Sequence, residues 1–186
     1  MNQLFSDINE NKADFDAIYT QPDPRQYFTV LGSLDYMIPD LAAPIIRQLM
    51  TARAALRGDA PTVLDVGCSY GVNAAVNRRP LSFGDLHRRY ARREMMSLTP
   101  GELRALDRLF LAGWPEADSS RWLGLDISGP ALAYAQGVGL IEQGVTADLE
   151  SDTLTDDQRA VVGQADLILS TGAVGYVTDT TLAQLA

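Results

Sequence analysis

The run Val63-Leu64-Asp65-Val66-Gly67-Cys68-Ser69-Tyr70-Gly71-Val72-Asn73-Ala74-Ala75 decides how this chain is read. It opens as a short apolar strand, places glycines at 67 and 71, and continues into "VNAAVN", which can open a helix that Pro80 stops. That order is strand, tight loop, helix. Two chemistries use it. Gly67-Cys68-Ser69-Tyr70-Gly71 fits G-x-S-x-G, the elbow that exposes a nucleophilic serine, while Asp65-x-Gly67-x-Ser69-x-Gly71 is a loop whose backbone can approach a nucleotide-like ligand.

The elbow needs a histidine base late in the chain, after the orienting acid. The single histidine, His87, follows Ser69 closely inside an arginine-rich stretch. The hydrolase match therefore reads as accidental, and His87 as a surface helix residue. A ligand loop makes a coherent site instead. Gly67 and Gly71 admit close approach, Ser69 is small enough not to block it, and Asp126, closing the next strand in "GLDIS", can accept both hydroxyls of a ribose. The dinucleotide fingerprint G-x-G-x-x-G is absent, which makes a nicotinamide cofactor the weaker version of this idea.

Working outward, "ADFDAIYTQPDPRQYFTVLGSL" reads as helix broken by Pro22, Pro24 and Gly32, and "DLAAPIIRQLMTARAAL" as helix up to Gly58. Residues 1–60 thus form an N-terminal helical segment. Residues 81–120 read as a two-helix insertion, a structural cap over one sheet edge, with Thr99 and Glu102 as a capping box and Pro100 at the first helical position. Strands follow at "RWLGLD", "GVTADLE" and "ADLILSTG", and Ser128 caps the helix between the first two. Alternating strands and helices predict an α/β fold over 61–186, a Rossmann-like parallel sheet sandwiched by helices and ending at its fourth strand.

The 186 residues are 46% hydrophobic and 21% charged, with a formal charge of −9, which suits one globular domain and opposes general nucleic-acid affinity. Arg78, Arg79, Arg88, Arg89, Arg92 and Arg93 crowd one segment; among fourteen arginines and one lysine they read as a solvated helix face. No apolar run has the length of a membrane span, and "MNQLFSDINENKADFDAIY" lacks the basic-then-apolar order of a secretion signal, so a soluble, cytoplasmic protein is expected. Cys68, the single cysteine, leaves no internal disulfide and no cysteine-rich metal site.

Together these residues resemble the class I S-adenosylmethionine-dependent methyltransferases. "VLDVGCSYG" is similar to the family's first motif, acid-x-Gly-x-Gly-x-Gly, with Ser69 at the middle glycine; "GLDIS", "TADLE" and "DLILSTGAVGYV" resemble its next three segments in order. The resemblance implies S-adenosyl-L-methionine as cofactor, lined by Asp65 and by Gly67, Cys68, Ser69, Tyr70 and Gly71. It implies Asp126 at the ribose with Ile127 and Ser128 beside it, Asp148 at the adenine with Leu149, and Ser170, Thr171 and Gly172 at the sulfonium. No catalytic side chain is assigned, since displacement at the methyl group rests on placement of the reactants.

The loop Ser170-Thr171-Gly172-Ala173 is not the Asn-Pro-Pro-aromatic loop with which relatives bind a planar amine, so the implied acceptor is a small molecule. Tyr27, Phe28, Tyr36 and Met37 read as packing against the sheet, with a lid over the ligand as the alternative. Two departures from the family stand out: a long insertion between Asp65 and Asp126, and no strands after the fourth. The second leaves "LILS" as an apolar sheet edge, which predicts self-association. It also keeps open a non-catalytic protein that binds adenosyl ligands or uses the fold as an interaction surface.

Overall fold

Four parallel strands, β1 (Thr62–Val66), β2 (Arg121–Asp126), β3 (Gln143–Thr146) and β4 (Leu167–Leu169), form a sheet in the order β3-β2-β1-β4. The computed structural model describes residues 16–117 and 119–185, so positions 1–15 of the N-terminal segment lie outside the description. Helices α1 (Asp16–Tyr19), α2 (Arg25–Ser33) and α3 (Ile38–Arg57) precede β1. Between β1 and β2 come α4 (Val72–Arg78), α5 (Phe83–Tyr90), α6 (Arg93–Met96) and α7 (Pro100–Ala112). After β2, β3 and β4 come α8 (Gly129–Gly137), α9 (Asp156–Val162) and α10 (Asp179–Leu185), respectively. This is the expected Rossmann-like α/β architecture with a sheet that stops at its fourth strand.

All five residues of β1 are buried, as in parallel strands covered on both faces. Val63 and Trp122 join a core with α2 to α5, α7 and α8, while Leu64, Val66, Leu123 and Leu125 join a second core with Val162 of α9 and Leu185 of α10. The chain steps from β1 through β2 to β3 beneath the first layer, then crosses to the far side of β1 for β4. Strand order reverses between β1 and β4. The crevice beyond the carboxyl ends of the strands at such a reversal is where open α/β sheets take ligands.

Helix boundaries follow the local chemistry. Thr99 and Glu102 cap each other reciprocally with Pro100 in the first turn, Ser128 accepts from the Ala131 N–H, and Gly58 ends α3 at φ 81°. Three helices, not two, fill the insertion, because Ser82 and Asp85 form another capping box that starts α5 and the extended Arg92 resets the chain before α6. The third strand is also shorter than "GVTADLE" predicts. The Asp148 carboxylate accepts from the Glu150 N–H at 3.1 Å and from Ser151 Oγ at 2.9 Å, which turns the chain after Thr146.

The insertion packs on helices, not on a sheet edge. Asp107 of α7 is fully buried and accepts from Arg89 Nε and Nη2 of α5 at 3.0 and 2.8 Å, and from Tyr90 and Tyr134 of α5 and α8 at 3.1 and 2.8 Å. Arg79 is also buried, donating to the Leu111 carbonyl and to Glu116. The solvated-face reading thus holds for Arg88, Arg92 and Arg93 and fails for Arg79 and Arg89, and for Arg78, whose side chain donates to the Leu140 carbonyl and to Glu116. His87 is half-buried beside Gly32, its Nδ1 2.9 Å from the Phe28 carbonyl, and is not a surface residue. Among the described residues no helix is long and apolar enough to cross a membrane.

Candidate functional site

The loop after β1 alternates through left-handed backbone: φ is 75° at Gly67, 48° at Ser69 and 79° at Gly71. Only glycine adopts this region freely, so Ser69 sits where a glycine is favoured. Its N–H donates to Asp126 Oδ2 at 2.8 Å, which offsets the strain and ties the loop to the end of β2. The Ser69 hydroxyl is buried and has no hydrogen-bond partner among the described residues. The two glycines serve packing as well: a side chain at 67 would fall on Ala173, and one at 71 would meet Ala135 and Leu140 at 3.1 Å. The loop after β4 therefore rests directly on the glycine loop.

Asp65 is buried at the end of β1, and both of its oxygens accept from Asn73 Nδ2 of α4, at 3.0 and 3.1 Å. Burial lifts the Asp65 carboxyl to about 7, against the Asn73 bond and with a smaller push from Asp126. Asn73 Nδ2 also donates to Thr171 Oγ1 at 3.1 Å, so one amide joins β1, α4 and the loop after β4. Asn73 was not legible as a site residue, although an amide in the otherwise small and apolar "VNAAVN" helix was the available signal.

Asp126 accepts one backbone N–H on each oxygen, Ser69 on Oδ2 and Ser128 on Oδ1, both at 2.8 Å. Burial raises its carboxyl while these bonds lower it, and the net shift is upward. A carboxylate offers about four lone-pair positions, so acceptor capacity remains on each oxygen. Ile127 beside it is 72% exposed, an apolar surface at the carboxyl end of β2.

The remaining expected residues divide. The loop carrying Ser170, Thr171 and Gly172 meets the glycine loop through Thr171 and Ala173. Ser170 Oγ is buried without a partner. Asp148 is brought near Asp126 by the Ala147 N–H, which donates to the Asp126 carbonyl at 3.2 Å, but its carboxylate is used in its own turn. Leu149 is buried in the second core, away from the crevice. The side chains of Cys68 and Tyr70 also point into the interior; Cys68 Sγ packs where a side chain on Gly124 would stand, and burial pushes its thiol upward.

The N-terminal segment roofs this region. Tyr70 Oη donates to the carbonyls of Ile18 and Gln21 at 3.0 and 2.9 Å, and Ser128 Oγ to the Tyr19 carbonyl at 2.6 Å. Those ties carry Tyr19 onto Tyr27, ring centroids 5.5 Å apart, and a side chain at Gly172 would fall on the Tyr36 hydroxyl. Tyr27 and Phe28 are core residues, Tyr36 is half-buried and Met37 is exposed. Chemically the crevice offers carboxylates, phenols and small hydroxyls. Among the described residues no group of three or more His, Cys, Asp or Glu could hold a metal ion.

No family model, curated protein or solved structure matches the chain.

Proposed function

We propose that the chain binds S-adenosyl-L-methionine at the crevice between β1 and β4 and transfers its methyl group to a small-molecule acceptor. The observation that supports this most is the pairing of Asp126 with the Gly67–Gly71 loop at the reversal of strand order. The residues fit the cofactor: Asp126 keeps acceptor capacity for a ribose diol, Ile127 offers an apolar surface beside it, Ser69 is small enough to admit the ligand, and Ser170 holds an unspent hydroxyl. When bound, the cofactor supplies an electrophilic methyl group. The chain's own part is to orient and to exclude water, with Asn73 fixing the loop after β4 to β1 and α4. A second reading, adenosyl-ligand binding without turnover, draws support from Ala173, whose side chain lies against Gly67.

Calorimetric titration with S-adenosylmethionine and with its demethylated product tests the proposal. Asp126→Ala is expected to weaken both by roughly tenfold to a hundredfold, the value of lost charged hydrogen bonds. Asp152→Ala, a change of equal charge in an exposed loop, should leave both unchanged. No binding to the folded parent chain would end this reading. Binding with no methyl transfer to any of a broad panel of acceptors would leave the second.

A further inference from the structure

Helix α3 turns Pro39, Ala43, Ile46 and Met50 into the core, the one face by which a surface helix packs. A second apolar stripe runs roughly a third of a turn round from it. Ile38, Leu41, Ile45, Leu49, Ala52 and Leu56 recur every three or four residues and are all exposed, Leu56 at 85%. No charged residue falls within the stripe. With Leu34 and Met37 in the turn ahead of the helix, it leaves on the order of 600 Å² of apolar surface in solvent, against roughly 800 Å² on each side of a standard protein interface. Scattered exposed leucines need no partner, but a continuous stripe of this size does.

The stripe selects its cover by length and by shape. α3 has 20 residues and is about 30 Å long, whereas the next longest described helix, α7, has 13. Among the described residues only a second α3 matches it from end to end. Laid parallel at equal height, two copies would set Ala52 against Ala52 and leave a gap. Laid antiparallel about a twofold axis, Ile38 meets Leu56, Ile45 meets Leu49, and Leu41 faces the small Ala52, so each large side chain has a neighbour across the contact. The helix dipoles then oppose each other as well. We propose that the α3 stripe is the contact of a homodimer, covered by α3 of a second copy in this antiparallel pairing. The pairing is independent of the reaction proposed for the crevice.

Sedimentation equilibrium of the full chain should give twice the 20.2 kDa of one chain at high concentration and a single chain's mass on dilution. Leu41→Glu with Ile45→Glu should hold the monomer at every concentration while circular dichroism shows the fold unchanged. Cysteine pairs test the pairing itself. Ile38→Cys with Leu56→Cys should join two chains under mild oxidation, whereas Leu56→Cys alone should not, because its two copies would stand about 27 Å apart along the helices. Cys68 is buried and stays silent in this assay. A monomeric parent at high concentration, as when another segment or another protein covers the stripe, overturns the dimer. So does a dimer that survives in the folded glutamate variant, and Leu56→Cys chains that join each other overturn the antiparallel pairing.

Discussion

Asp65 is a buried carboxyl lifted to about 7, so between its unfolded pKa and that value the folded chain binds the proton and the unfolded chain does not. Stability from this group is full below about pH 4 and is lost as pH rises towards 7. Asp65→Asn should flatten that part of a denaturant-midpoint profile, where the parent loses on the order of 4 kcal/mol from this site; an unchanged slope would show that Asp65 is not its source. Ser69 poses the opposite case. Holding a non-glycine residue at φ 48° costs about 1 kcal/mol or more, and its hydroxyl is unpaired, so Ser69→Gly should raise stability by about 1 kcal/mol. Ser69→Ala should leave adenosyl-ligand affinity unchanged, and an esterase activity abolished by it would revive the nucleophile. The Asp65-to-Gly71 loop was legible because its determinants are consecutive: a strand, positive-φ positions and a helix start. Asn73 was not, because its two partners come from β1 and from a loop far along the chain.

Among the elements, Asp107 ties α5, α7 and α8 together through one buried charge. Asp107 receives four hydrogen bonds from α5 and α8, and the Arg89 guanidinium also stacks over Phe110 at 4.0 Å. Removing one partner of such a pair leaves the other unpaired in the interior. Asp107→Ala should therefore destabilise by about 3–5 kcal/mol, and Asp107→Leu combined with Arg89→Met should recover most of it. Chemical denaturation of the single and double variants measures this, and additive losses would refute the pairing. The Thr99–Glu102 capping box and the starts of β1 and β2 were read correctly from sequence, since each depends on neighbours a few residues apart, whereas the Ser82–Asp85 box went unread. The inward turn of Arg79 and Arg89 was missed because charge patterning reports composition, whereas burial depends on which acceptors the tertiary fold delivers.

At the scale of the whole molecule, Arg53 of α3 pairs with Asp166 at 2.6 Å just before β4, and Tyr36, two residues ahead of α3, meets Gly172 just after it. Ile168 of the edge strand is exposed, and so are Ile38, Leu41, Ile45 and Leu49 along α3, with Leu41 at 66% and Ile45 at 62%. An open strand edge and an apolar helix face each favour association. Light scattering should show oligomers that grow with concentration, and Leu41→Glu with Ile45→Glu should return a monomer; a monomeric parent at high concentration would count against it. Sequence anticipated the edge but not the helix face, since an apolar helix reads as buried until its neighbours are known. The bond from Ser128 to the Tyr19 carbonyl spans 109 residues, so one tie of this early segment waits for a partner far along the chain. On a ribosome the Tyr19 segment can meet Tyr27 and Tyr70 early, but its tie to the sheet through the cap of α8 must wait until that helix has been made, so this part of the fold closes by a long-range step.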